Sequence, residues 1–94
     1  MGVWRNLFST TSASETIITD TRWAFGAGGD CSRTVIKTFV VAGVETTDVR
    51  NCQYTTAGSN VTITFEGSSV PTTFSVAFSG GDLLLGGFRF QRIG

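Results

Sequence analysis

The chain contains no histidine, so the side chain that most often serves as general base, metal ligand or triad member near neutral pH is missing. Nucleophilic catalysis of the Ser-His-Asp or Cys-His kind is thereby excluded, and two cysteines without a histidine are too few for a structural zinc site. The carboxylates are Glu15, Asp20, Asp30, Glu45, Asp48, Glu66 and Asp82. Most fall in expected turns or on expected outer faces, where water solvates them. Asp48 and Arg50 differ, because they are in phase with Cys52 and Tyr54 along one expected strand. If that face is the inner one, the pair could anchor the polar head of a ligand; if it is the outer one, they form an ordinary solvated ion pair. The stretch Gly26-Ala27-Gly28-Gly29 has the composition of a phosphate loop. It follows a strand and opens no helix, so phosphate binding is not expected.

Cys31 and Cys52 fall on the expected third and fourth strands, which a turn near Ala42-Gly43 makes antiparallel, with the two cysteines close to opposite one another. One reading is a cross-strand disulfide, worth about 3 kcal/mol in the chain-entropy picture. The other is a pair of buried thiols that behave as small apolar side chains. The even cysteine count and a Ser/Thr-rich surface with Lys37 as its one lysine lean towards an exported protein, periplasmic or extracellular. Met1 is followed at once by the first expected strand, so any signal peptide is expected to have been removed already.

The elements that must position these residues read as strands. Twelve glycines, one proline and many Thr, Val, Ile and Phe favour strands joined by tight turns, and no stretch shows sustained helical spacing. Turn signals at Gly26–Gly29, Ala42-Gly43, Ala57–Asn60, Gly67–Pro71, Gly80–Asp82 and Gly86-Gly87, with a Ser/Thr loop at Ser9–Ser14, cut the chain into eight strands. The expected spans are 2–8, 15–25, 30–41, 44–55, 60–66, 72–79, 82–86 and 88–93. Short links imply antiparallel neighbours, and eight such strands can close into an up-and-down barrel that has no edges. The 94 residues, 1–94, are expected to form one domain. Alternation puts Ile17, Trp23 and Phe25 on one face, and likewise Val61, Ile63 and Phe65, then Phe74, Val76 and Phe78. By the same phase Trp4, Phe8, Leu83, Leu85, Phe88 and Phe90 are expected to point inward. The third and fourth strands carry apolar residues on both faces, and their inner face stays open.

Charged residues are 15% of the chain, the formal net charge is zero and no basic cluster exists, so neither nucleic acid nor an anionic membrane is an expected partner. The longest apolar runs, such as Phe39–Ala42 and Leu83–Leu85, are far short of the roughly 20 residues of a spanning helix.

The two ends of the chain match. Phe88, Phe90 and Arg92 share a face, and an arginine on an apolar face finds a partner in the indole of Trp4 on the first strand. Gly2-Val3-Trp4 at the start and Phe90-Gln91-Arg92 at the end resemble the Gly-x-Trp and aromatic-x-Arg motifs of the small bacterial lipocalin-like domains of the calycin superfamily. Glu15–Ile18 leading to Trp23-Ala24-Phe25, and Cys52-Gln53-Tyr54 leading through Gly58–Ile63, resemble the family's intervening strands. Two positions depart from it: Gly26–Gly29 stands where Asp-Gly is usual, and Cys52 where a glycine precedes the tyrosine. The resemblance covers nearly the whole chain. It implies a barrel closed at one end by Arg92 over Trp4, both structural, and an interior that takes a small hydrophobic ligand.

An eight-stranded barrel is just wide enough to hold one small ligand or to fill with its own side chains. Trp23, Phe25, Tyr54, Phe65, Phe74 and Phe78 are the expected lining, being large and spread over several strands. The expected function is non-enzymatic uptake of a small apolar molecule, with no cofactor or metal. The alternative is a filled barrel acting as a structural or protein-interaction domain. A third reading, isomerisation of a hydrophobic substrate, would have to use Asp48, Arg50, Tyr54 or a free cysteine.

Overall fold

A computed structural model describes residues 2–94 and contains eight strands: β1 Gly2–Thr11, β2 Thr16–Phe25, β3 Asp30–Phe39, β4 Val44–Ala57, β5 Asn60–Phe65, β6 Thr72–Ser79, β7 Asp82–Leu85 and β8 Phe88–Arg92. Each pairs antiparallel with the next, and β8 pairs back onto β1, so the fold is a closed up-and-down β-barrel in sequence order. No helix among the described residues is long and apolar enough to cross a membrane.

The strands differ in length, and that difference shapes the molecule. β1 to β4 have 10, 10, 10 and 14 residues, whereas β5 to β8 have 6, 8, 4 and 5. The backbone ladder between β8 and β1 has two pairs, Trp4↔Arg92 and Arg5↔Gln91, extended by the Asn6 side-chain amide donating to the Arg89 carbonyl at 2.9 Å, and β5 pairs with β4 from Cys52 onward. The remainder of β1 to β4 therefore runs past the barrel as a four-stranded sheet. The radius of gyration is 14.6 Å, against about 12 Å for a compact chain of this length.

The interior holds Trp4, Trp23, Phe25, Val61, Ile63 and Phe90, together with Cys31, Cys52, Leu83 and Leu85. The third and fourth strands present Cys31, Arg33 and Val35, and Cys52, Arg50 and Asp48, to the inner side, as the register Cys31↔Cys52, Arg33↔Arg50 and Val35↔Asp48 requires. Two expected inward residues are corrected. Phe8 and Phe88 have the inward phase but are 58% and 68% exposed, because each sits where its strand has passed the rim of the closed barrel. The expected third strand, 30–41, ends instead at Phe39, since Val40 to Gly43 form the turn.

Outside the barrel, Asp20 is buried between two arginines. Its Oδ2 lies 3.2 Å from Arg5 and 3.0 Å from Arg22. Burial opposes its ionisation, but the hydrogen bonds and charge of Arg22 and Arg5 outweigh that and hold the carboxyl below its ordinary range. Glu15 ties two turns of the extended sheet together by accepting from the backbone N–H of Val41 at 2.7 Å and of Ala42 at 3.1 Å. Those bonds, the one from Val41 foremost, also lower its pKa.

Candidate ligand-binding site

The chain termini and the β2–β3, β4–β5 and β6–β7 turns gather at one end of the barrel. A cavity of about 500 Å³ lies there, lined chiefly by Trp4, Phe25, Tyr54, Val61, Val76 and Phe78, with Leu83 and Leu85 deeper in and Arg92 on its wall. It reaches the surface beside the exposed residues Thr56, Asn60 and Phe78. The wall is apolar because these residues are the inward-phase members of their strands, and it is hollow because the turns that follow are built from small residues. Gly58, Gly80 and Gly81 all have positive φ, which glycine adopts without steric cost.

Aromatic contacts set the walls. Phe25 meets Tyr54 edge to face with ring centres 5.1 Å apart, and Trp4 lies 5.9 Å from Phe78. Tyr54 is fixed at both ends: its hydroxyl donates to the Gly26 carbonyl and its backbone N–H donates to the Gly29 carbonyl at 2.8 Å. The glycine-rich stretch Gly26–Gly29 thus works as an anchor for this tyrosine. Arg92 lies over the Trp4 indole at 5.8 Å from the ring centre, and its Nε donates to the Gly94 carbonyl at 3.2 Å. Gly2 allows this approach, since a Cβ there would come within 3.1 Å of Arg92 Nε and 2.8 Å of the Gly94 oxygen.

Of the six residues expected to line a cavity, Phe25, Tyr54 and Phe78 do so. Trp23, Phe65 and Phe74 do not. Trp23 packs against Phe65 at 6.0 Å and Phe74 at 6.4 Å, filling the waist of the barrel on the side away from the cavity. Trp4 and Arg92 touch as expected, but the end they close is the end that holds the cavity. The opposite side of the waist is covered by Arg33, whose guanidinium carbon stands 4.7 Å from the Phe65 ring centre and 5.9 Å from that of Trp23. Sequence reasoning did not single out Arg33. Its phase with Cys31 on one strand was the available signal.

Asp48 and Arg50 share the inner face with Cys52, yet they lie on the part of β4 that has left the barrel. They form an exposed ion pair at 3.6 Å, away from the cavity. Cys31 and Cys52 are joined in a disulfide with Cα atoms 4.9 Å apart. Among the described residues no group of three His, Cys, Asp or Glu comes together. A second hollow of about 550 Å³ flanks β4 and β5, open to the surface and of mixed character, with Asn51, Gln53, Thr64 and Glu66 at its polar positions and Cys31, Cys52 and Phe65 at its apolar ones.

Fold and site together define a closed eight-stranded antiparallel β-barrel with an apolar cavity at the end where its termini meet. Neither a family model, nor a curated protein, nor a solved structure matches the chain.

Proposed function

We propose that the protein is a non-enzymatic binding module, a compact lipocalin-like barrel that takes a small hydrophobic molecule into the cavity beside Trp4. The observation that carries this reading is the cavity itself: about 500 Å³, walled by Trp4, Phe25, Tyr54, Val61, Val76 and Phe78. That volume lies within the usual range of roughly 300 to 1,000 Å³ for ligand sites, and such sites are typically apolar with few polar groups. The cross-strand disulfide supports an oxidising compartment, hence an exported protein.

Titration with the dye ANS tests the reading. Saturable fluorescence from the folded protein, displaced by decanol, is expected. Absence of saturable binding, or binding that appears only as the protein unfolds, would remove it.

A second reading, a protein-interaction domain, is favoured by one observation. Among the described residues the β4 segment 44–50 pairs with no strand on the side of β5 and carries exposed Val44 and Val49, so it offers backbone groups and apolar area to a partner strand.

A further inference from the structure

We infer that the cavity takes an amphiphile whose acidic end, a carboxylate, is held by Arg92 while its apolar body lies against Phe25, Val61 and Val76. The inference rests on the binding reading above and names the chemistry of its ligand.

Arg92 is the one charged side chain among the residues lining the cavity. The ion pairs among the described residues use Arg5, Arg22, Arg50 and Arg89, and no Asp or Glu side chain lies within 4.0 Å of Arg92. Its Nε donates to a main-chain oxygen of Gly94, and its guanidinium carbon lies over the Trp4 indole at 5.8 Å from the ring centre. Among the described residues neither terminal nitrogen of Arg92 has a hydrogen-bond partner, so both can donate to a ligand. A guanidinium presented in this way, oriented in advance and flanked by apolar surface, suits two parallel hydrogen bonds to a carboxylate better than it suits a neutral hydroxyl. The rest of the lining supplies no anionic side chain, only the neutral polar groups of Tyr54, Thr56 and Asn60, so a cationic head meets no counter-charge among these side chains and has only the aromatic faces to offset the repulsion from Arg92.

The wall also shows which end of the ligand goes where. Arg92 belongs to the last strand and sits at the end of the barrel, opposite Trp4 in register, whereas Leu85 lies further along β7 towards its turn with β8. The acidic head therefore stays near the chain termini, and the apolar tail points towards Leu83 and Leu85.

Calorimetric titration of the oxidised protein with decanoate, decanol and decyltrimethylammonium tests this. Charged hydrogen bonds in such a setting correspond to about tenfold or more in affinity. Decanoate should bind about tenfold more tightly than decanol, and decyltrimethylammonium more weakly than either. Arg92→Gln should bring decanoate and decanol close to parity, while Arg50→Gln, remote from the cavity, should keep the preference. The comparison of the three ligands on the unaltered protein stands even if Arg92→Gln does not fold. Decanol binding as tightly as decanoate would overturn the carboxylate inference and leave the apolar site intact. Preference for the cation, or a preference lost equally in Arg50→Gln, would also overturn it. Failure of all three to bind would remove the binding reading with it.

Discussion

Arg92 and Trp4 face each other across the seam that closes the barrel, paired in register with the guanidinium carbon 5.8 Å from the indole centre. The seam is short. Beyond Trp4↔Arg92 and Arg5↔Gln91 it is continued by Val3 N–H to the Gly94 carbonyl at 3.0 Å and Ile93 N–H to the Val3 carbonyl at 2.8 Å. Trp4 is thus both a wall of the cavity and the residue on which closure depends. Trp4→Ala is expected to cost about 3 to 5 kcal/mol in urea unfolding, the usual range for a buried large aromatic. The amides of Val3 and Ile93 should exchange with solvent faster than those of β2 and β3. Unchanged stability would show that the seam does not depend on the indole.

Stability and the cavity should separate at two other positions. Ile63 is fully buried, whereas Phe78 is 63% exposed at the mouth of the cavity. Ile63→Ala is expected to lose about 2 to 5 kcal/mol. Phe78→Ala should change stability by about 1 kcal/mol or less but weaken ANS binding, because it removes part of the cavity wall. The two substitutions compared by urea unfolding and dye titration check this.

The pH dependence follows from two lowered carboxyls. Asp20 and Glu15 titrate below their ordinary values of 3.8 and 4.5 in the folded protein. The unfolded chain therefore takes up their protons first, so the stability they contribute is present above those values and is lost as pH falls through the folded ones. The urea midpoint should hold steady from pH 7 down to about 5 and fall below about pH 4. Asp20→Asn should reduce both the midpoint at pH 7 and the slope of that fall. A midpoint that rises on acidification would contradict the arrangement around Arg5 and Arg22.

The eight strands were legible because glycine-bearing turns separate them and because alternation marks the inner face wherever the barrel closes over it. Alternation carries no information on axial position. Phe8 has the same phase as Trp4, and Phe88 the same as Phe90, yet one of each pair is buried and the other exposed. For the same reason Trp23, Phe65 and Phe74 could not be told apart from Phe25, Tyr54 and Phe78, although the first three fill the waist and the second three line the cavity. β1 runs to Thr11 and β4 to Ala57, past their expected ends. The end of β1 lies in the extended sheet, where both faces meet water and the apolar alternation that would mark a strand fades, whereas Thr56 and Ala57 continue β4 into its hairpin with β5 as small residues that carry no apolar signal. Asp48 and Arg50 show the same limit: their face is that of Cys52, but the barrel wall ends before it reaches them.

The disulfide links neighbouring strands 21 residues apart in sequence, at Cys31 and Cys52, where β4 leaves the barrel. Removing it frees the unfolded chain, at a cost of about 3 kcal/mol in the chain-entropy picture. Thiol titration of denatured, unreduced protein should find no reactive thiol, and prior reduction should lower the urea midpoint. Two reactive thiols without reduction would show that the bond does not form.

The most direct test of ligand uptake at the cavity uses the two tryptophans, since Trp4 lines it and Trp23 lies in the packed waist. Their indole N–H signals, assigned through Trp4→Phe and Trp23→Phe, can be followed by nitrogen–proton correlation NMR during titration with decanoate. A saturable shift of the Trp4 indole that reaches its limit at one equivalent, with the Trp23 indole moving less, is expected. No shift at either indole, or one confined to Trp23, would contradict binding at this end of the barrel.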